Sequence, residues 1–251
     1  MYDKYLVTGA TGFLGRAVVE ALARRGARVH ALVLHDDPYI NLLPKEVHTV
    51  IGDVYAENSL TDFFADADGR TCVIHCAGIV SVASRPGAKL YQVNVGGTWR
   101  VLRQCMKRNV GRLIHVSSVH AIPEKPKGCI ITEDCEFSPG LVDGDYAKSK
   151  AAATELVFDA AERGLNASLV FPSGIIGPGD IQGGKMCIRD SGRCIVCPRP
   201  RGAKAVYPAW VLLLFLRMVS SIWRSTSTVS YTHLFSEPAA FPAEAPACLP
   251  L

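Results

Sequence analysis

Val7-Thr8-Gly9-Ala10-Thr11-Gly12-Phe13-Leu14-Gly15 decides how the rest of the chain is read. It overlaps a short apolar run, Tyr5-Leu6-Val7, and leads into Phe13/Leu14, Ala17/Val18 and Ala21/Leu22, the repeat of an amphipathic helix. Strand, glycine turn and helix in that order present unpaired backbone N–H groups and a positive helix end to a phosphate. Gly9 allows a tight turn, Gly12 allows a pyrophosphate to approach the backbone, and Gly15 allows the helix to pack on the strand. Glycines at this spacing are weak by themselves. The strand before and the helix after give them weight.

A chain of 251 residues holds one large domain or two small ones. Residues 1–185 carry 20 Lys/Arg and 20 Asp/Glu, so the formal net charge of +4 lies wholly in the last 66 residues. Those residues also hold seven of the 15 prolines and two of the 22 glycines, an abrupt change of composition near Lys185. No block of like charge marks nucleic acid as a partner. The chain begins almost directly with a strand, so no signal peptide is expected. Cys72, Cys76, Cys105, Cys129 and Cys135 lack metal-ligand spacing, and Cys72 and Cys76 read as small hydrophobes in an apolar strand. No metal and a reducing, cytoplasmic setting are expected.

The first helix is expected to end near Gly26, with a second strand over 28–34. An acid at the end of such a strand grips the adenosine ribose of a dinucleotide. Here Asp36-Asp37 come slightly late, after Val33-Leu34-His35. NAD and NADP both stay open, with NAD favoured because Asp36 can reach and a 2′-phosphate has no obvious arginine. A third strand over 47–51 leads to Gly52-Asp53-Val54, where Asp53 either accepts from an adenine amino group or caps the next helix. A fourth strand, 71–75, ends in Cys76-Ala77-Gly78, small residues that leave room for a ligand.

A helical stretch over 89–108 is expected to be interrupted at Gly96-Gly97, with Asn94 either in solvent or a buried anchor. The fifth strand, 112–116, runs into Ser117-Ser118; a Pro-rich loop over 123–139 follows, then a helix over 146–163 and a sixth strand over 167–171. Strands alternating with helices predict an α/β fold, a doubly wound parallel sheet with helices on both faces. Sites in such sheets lie beyond the carboxyl ends of the strands, where Gly9, Asp53, Gly78, Ser118 and Pro172 all fall.

Tyr146 and Lys150 stand one turn apart on a helix face. A phenol transfers protons near neutral pH only when its phenolate is stabilised, and an ammonium one turn away does that. Ser118 can bond the same substrate oxygen. With 8 Tyr in 251 residues, chance alone supplies a Tyr-x-x-x-Lys about 0.3 times, so the pair is poor support alone. Its place after a glycine turn and a Ser-Ser following strand five carries the reading.

These pieces resemble an extended short-chain dehydrogenase/reductase of the NAD-dependent epimerase/dehydratase family. The matching stretches are Thr8 to Gly15, Gly52-Asp53-Val54, His75-Cys76-Ala77-Gly78, Asn94, Val116-Ser117-Ser118, Tyr146 to Lys150, and Pro172-Ser173-Gly174-Ile175-Ile176-Gly177-Pro178. The resemblance implies a Rossmann fold, an NAD(P) enzyme and a catalytic set of Ser118, Tyr146 and Lys150. It also implies a cofactor site of Gly9, Thr11, Gly12, Phe13, Leu14, Gly15, Asp36, Asp53, Val54, Cys76, Ala77, Gly78, Asn94 and Lys150, with Pro172-Ser173 against the nicotinamide. The Ser-Val-His-Ala-Ile-Pro and Pro-Ser-Gly-Ile-Ile-Gly-Pro stretches are most similar to the dihydroflavonol-reductase-like and 3β-hydroxysteroid-dehydrogenase-like branch. Sugar epimerases usually show Val-Tyr-Gly where Ala121-Ile122-Pro123 stands. A carbonyl/alcohol oxidoreductase with a small-molecule substrate is therefore expected. A nucleotide-sugar epimerase or dehydratase is the alternative, and a non-catalytic dinucleotide sensor a further one. The two long helices flanking strand five often form a four-helix dimer interface in this family, which makes a homodimer an open expectation.

After Lys185 the resemblance stops. Met186-Cys187-Ile188-Arg189-Asp190-Ser191 can be encoded by a DNA stretch whose reverse complement, in another frame, encodes Val229-Ser230-Tyr231-Thr232-His233. That element matches the transposon end used in sequencing-library preparation. The expectation is a cofactor lobe over 1–185 and a non-native tail over 186–251 without a recognisable fold, the substrate lobe being absent and the chain itself inactive for that reason. On the reading of a real domain, Cys194-x-x-Cys197 is half a metal site without a second pair. The apolar run over 206–216 is too short to span a bilayer.

Overall fold

Strands β1 (Lys4–Thr8), β2 (Arg28–Val33), β3 (His48–Ile51), β4 (Thr71–His75), β5 (Arg112–Val116) and β6 (Ala167–Val170) form one parallel sheet. Their order is β3-β2-β1-β4-β5-β6, so the winding reverses between β1 and β4. The computed structural model describes residues 2–81, 87–125, 135–173, 175, 189–190 and 193–194. Thr8 pairs with His75, and His75 with His115, which brings the carboxyl ends of β1, β4 and β5 level. A ligand crevice belongs at such a reversal point.

Residues of β1, β4 and β5 are buried throughout, because side chains alternate between two covered faces. Leu6, Val73, Leu113 and Leu169 face one core; Val7, Ile74, Ile114 and Val170 face the other. Helix α1 (Phe13–Ala23) covers the second face with Val18, Val19 and Leu22. Helices α2 (Glu57–Phe63), α4 (Thr98–Lys107) and α5 (Asp145–Glu162) cover the first with Leu60 and Phe63, Val101 and Leu102, and Ala151 and Val157. The doubly wound sheet with helices on both faces is the fold read from the sequence.

Three details differ from the expected elements. The buried stripe of α1 is Gly15, Val18, Val19, Leu22 and Ala23, one position later than the Phe13/Leu14 stripe, because Gly15 is drawn against the turn. Strand β2 stops at Val33, leaving Leu34 exposed. Gly96-Gly97 does not interrupt its helix. A short α3 (Lys89–Tyr91) passes through a π-helical turn, Gln92–Gly97, straight into α4. A Cβ on Gly97 would lie 2.8 Å from Val54 Cγ2, so this glycine serves close packing, not a break.

Of the expected tail, only Arg189–Asp190 and Arg193–Cys194 are described, as a short antiparallel pair separate from the sheet. Met186, Cys197, the 206–216 run and the 229–233 stretch lie outside the described residues, as do Cys129, Gly174 and Ile176 to Pro178. Among the described residues, no helix is long and apolar enough to cross a membrane.

Candidate active site

Gly9 has φ +65°, and a Cβ there would lie 2.6 Å from the Ala77 nitrogen. The turn after β1 therefore touches the Cys76-Ala77-Gly78 loop after β4, as the small residues there suggest. Gly15 is tighter still: its Cβ would lie 2.0 Å from the Gly9 carbonyl oxygen. Gly12 caps α1 without any side-chain hydrogen bond, so the first-turn N–H groups keep their capacity for an anion. Thr11, Gly12, Phe13 and Leu14 are all half-buried along this turn.

The acid that reaches the turn is Asp37. The Thr11 hydroxyl donates to its Oδ2, and the Tyr39 N–H donates to its Oδ1 at 2.9 Å. Asp36, the acid expected there, has a side chain 95% exposed and pairs with the equally solvated His35. Strand β2 ends one residue early, and the chain then turns so that Asp37, not Asp36, faces back.

Asp53 is half-buried and accepts the Tyr55 N–H at 3.0 Å, a local turn. Helix α2 starts later, at Glu57, with Ala56 at its cap, so Asp53 is not the N-cap. Val54 is buried against Gly97 and fixes the floor beneath the π-helical turn.

Ser118, two residues past β5, is buried and accepts the His120 N–H at 3.3 Å. Burial raises the Tyr146 pKa, and neighbouring Ser118 works against that rise. Lys150, one turn further along α5, is 6% exposed; its Nζ donates to the Val116 carbonyl at 3.0 Å. A Cβ on Gly78 would lie 3.3 Å from that same Nζ. Lys150 thus borders the loop after β4, one helical turn from Tyr146, with the Val116 carbonyl as the acceptor of its ammonium.

Burial pulls the Lys150 pKa from 10.5 down to about 8. Between those values the unfolded chain holds a proton that the folded chain has released, so stability rises with pH across that window. Relative to Lys150→Met, the native chain should gain about 3 kcal/mol from pH 8 to pH 10.5 in thermal or urea unfolding. A difference between the two that stays flat across the window would refute this.

Asn94 is the buried anchor of its two readings. Its Oδ1 accepts the Ile79 N–H at 2.7 Å, and its Nδ2 donates to Ile79 O and to Ser149 Oγ, both at 3.0 Å. Ser149 Oγ donates in turn to the Tyr146 carbonyl at 2.8 Å. The π-helical turn, a feature frequent at functional sites, carries Asn94. Pro172 belongs to the same edge, its carbonyl accepting the Val119 N–H at 3.1 Å, with Ser173 exposed beside it. Two histidines in the matching stretches had no role assigned to them. His120 is exposed with its ring edge-on to Tyr146, centroids 5.9 Å apart, and its place two residues after Ser118 was the available signal. His75 is the other, and it is fully buried.

The NAD dependent epimerase/dehydratase family, as a sequence profile, matches residues 5–189. The chain belongs to this family. It is 33% identical over 177 residues to sterol demethylase protein B of Methylococcus capsulatus, covering 70% of this chain and 53% of that protein. It is 33% identical over 190 residues to mouse 3 beta-hydroxysteroid dehydrogenase type 7, covering 70% and 51%. Among solved structures it resembles Thermus thermophilus UDP-glucose 4-epimerase in complex with NAD, with 26% identity and a TM-score of 0.59. That match covers 67% of this chain and 54% of the epimerase. This epimerase/dehydratase family member spans about half the length of the curated relatives it matches.

Proposed function

We propose that this chain is the cofactor-binding and catalytic lobe of an oxidoreductase that moves hydride between NAD and a carbonyl or secondary alcohol. The observation that carries the reading is the meeting of Ser118, at the carboxyl end of β5, with Tyr146, one turn from buried Lys150. The Gly9–Gly15 turn, with Thr11, Phe13 and Leu14, would hold the pyrophosphate, and Asp37 the adenosine ribose. Asp53 and Val54 would lie at the adenine end, Cys76, Ala77 and Gly78 along the middle, and Lys150, Pro172 and Ser173 at the nicotinamide end. NAD, when bound, supplies the hydride acceptor or donor. Tyr146 exchanges the matching proton with the substrate oxygen, Ser118 orients that oxygen, and Lys150 supplies a positive charge that favours the phenolate.

The names of the relatives support redox at a carbonyl or alcohol carbon: a 3 beta-hydroxysteroid dehydrogenase and a putative dihydroflavonol 4-reductase of Synechocystis are both among them. The second reading, a nucleotide-sugar epimerase, is favoured by the likeness to UDP-glucose 4-epimerase. Ala121-Ile122-Pro123 after the serines counts against it. A dinucleotide sensor needs the turn but not an assembled Ser118, Tyr146 and Lys150.

The residues that select the substrate are proposed to lie in the half of the relatives' length that this chain does not span, with the sequence from Met186 onward not native to the protein. The thiols of Cys72, Cys76 and Cys105, none of them in a disulfide, fit a cytoplasmic setting, and α4 and α5 are the surfaces offered to a homodimer. The test has two arms. The chain itself should bind NADH more tightly than NADPH, since the Asp37 carboxylate beside Thr11 repels a 2′-phosphate. The full-length protein should consume NADH with members of a ketone panel. Conversion of a UDP-sugar without loss of NADH would establish the epimerase reading instead.

A further inference from the structure

His75 closes β4, is fully buried, and has no part in the steps above. Its ring nitrogens touch both halves of the site. Nδ1 lies 2.7 Å from Thr8 Oγ1, next to the glycine turn, and Nε2 lies 3.0 Å from Thr98 Oγ1, at the start of α4.

The protons on this network can be placed by exclusion. Thr98 Oγ1 donates its one proton to the Asn94 carbonyl at 2.6 Å, so toward His75 it can only accept. Nε2 therefore carries hydrogen. A neutral imidazole holds one such proton, which leaves Nδ1 to accept from the Thr8 hydroxyl. Thr8 Oγ1 itself accepts the Ala77 N–H at 3.3 Å. The result is two runs meeting at one ring: Ala77 N–H to Thr8 to Nδ1, and Nε2–H to Thr98 to the Asn94 carbonyl.

The charged and titratable groups near the ring are Lys150 and His115, whose ring centroid is 5.2 Å away. Burial, and then Lys150, pulls the His75 pKa down to about 3; burial also holds His115 well below its ordinary value, so both rings are neutral. An imidazolium at His75 would need both threonines as acceptors and would cost Nδ1 its acceptor role.

We propose that His75, as the neutral Nε2–H tautomer, is a positioning residue that sets the spacing between the glycine turn and the Asn94–Ser149–Tyr146 line. It acts through Thr8 on the loop that carries Ala77 and through Thr98 on the π-helical turn that carries Asn94. The inference rests on the proposed cofactor reading, because the turn it steadies is the one assigned to the pyrophosphate. A merely space-filling ring would tolerate an apolar replacement of similar bulk.

The experiment uses the full chain. Nitrogen-15 NMR of histidine-labelled protein at pH 7 should show His75 with Nε2 protonated and Nδ1 bare. Calorimetric titration with NAD+ should give a Kd about tenfold weaker for Thr8→Val and for His75→Leu. His75→Asn, whose amide oxygen stands near the Nδ1 position but leaves Thr98 without its donor, should restore part of that loss. An Nδ1–H tautomer or an imidazolium overturns the proposal. So does wild-type affinity in His75→Leu and Thr8→Val, or equal loss in His75→Leu and His75→Asn. Should His75→Leu fail to fold, Thr8→Val and the NMR on the unaltered chain decide the matter. If the wild-type chain itself fails to bind NAD+, the cofactor reading falls and the proposal with it.

Discussion

Tyr146→Phe lowers turnover of the full-length protein about 10³-fold while leaving NADH affinity within threefold of wild type, as expected for the loss of one acid–base group. The prediction follows from what the hydroxyl touches. The Tyr146 ring is half-buried and stands edge-on to His120, contacts that phenylalanine keeps. The hydroxyl that is lost faces Ser118, whose Oγ keeps the His120 N–H as a donor at 3.3 Å. The fold should therefore lose about 1 kcal/mol, the usual net worth of one hydrogen bond. Steady-state NADH oxidation with an active ketone, alongside a fluorescence titration of NADH, separates the two effects. Activity within tenfold of wild type would remove Tyr146 from the proposed mechanism.

The second large effect is Gly9→Ala. Alanine at φ +65° costs about 1–2 kcal/mol. Its Cβ would also lie 2.6 Å from the Ala77 nitrogen and 2.8 Å from the Cys76 carbonyl carbon, backbone atoms that cannot swing aside. Making room costs about a further 1–3 kcal/mol. Against a total stability of about 5–15 kcal/mol, this is a large fraction. The displaced backbone is the one proposed to meet the pyrophosphate, so NAD+ affinity should fall about 100-fold or more. Gly26→Ala is the matched control: Gly26 has φ +69° but nothing within 4 Å of its Cβ position. It should cost only the strain term and leave affinity untouched. Urea denaturation and NAD+ titration of both variants give the comparison, and equal behaviour of the two would disprove the role of the close approach.

The sheet was legible because parallel strands buried on both faces carry adjacent apolar residues, as Cys72-Val73-Ile74 and Leu113-Ile114 do. Ser118, Tyr146 and Lys150 were legible for a different reason. Their side-chain types carry chemistry, and their spacing along strand and helix fixes their common edge. Asp36 and Asp37 could not be told apart, since a strand that stops one residue earlier rotates which of two neighbours faces back. The helical run through Gly96-Gly97 was misjudged because glycine's low propensity is a local signal, whereas the need for Val54 to pack there is a tertiary one. His75 was invisible as a network member: nothing in the sequence says that Thr8 and Thr98, 90 positions apart, meet on the same ring.

The π-helical turn ties distant positions together. Asn94 must face Ile79 and Ser149, Gly97 must stay small beneath Val54, and Thr98 must keep its hydroxyl on the Asn94 carbonyl. None of these residues can change alone without stranding another. Positions 54, 94, 97 and 98 are therefore one packed and hydrogen-bonded unit. A turn one residue shorter would move Asn94 off Ile79 and Ser149, and because Ser149 bonds the Tyr146 carbonyl the change would reach the start of α5.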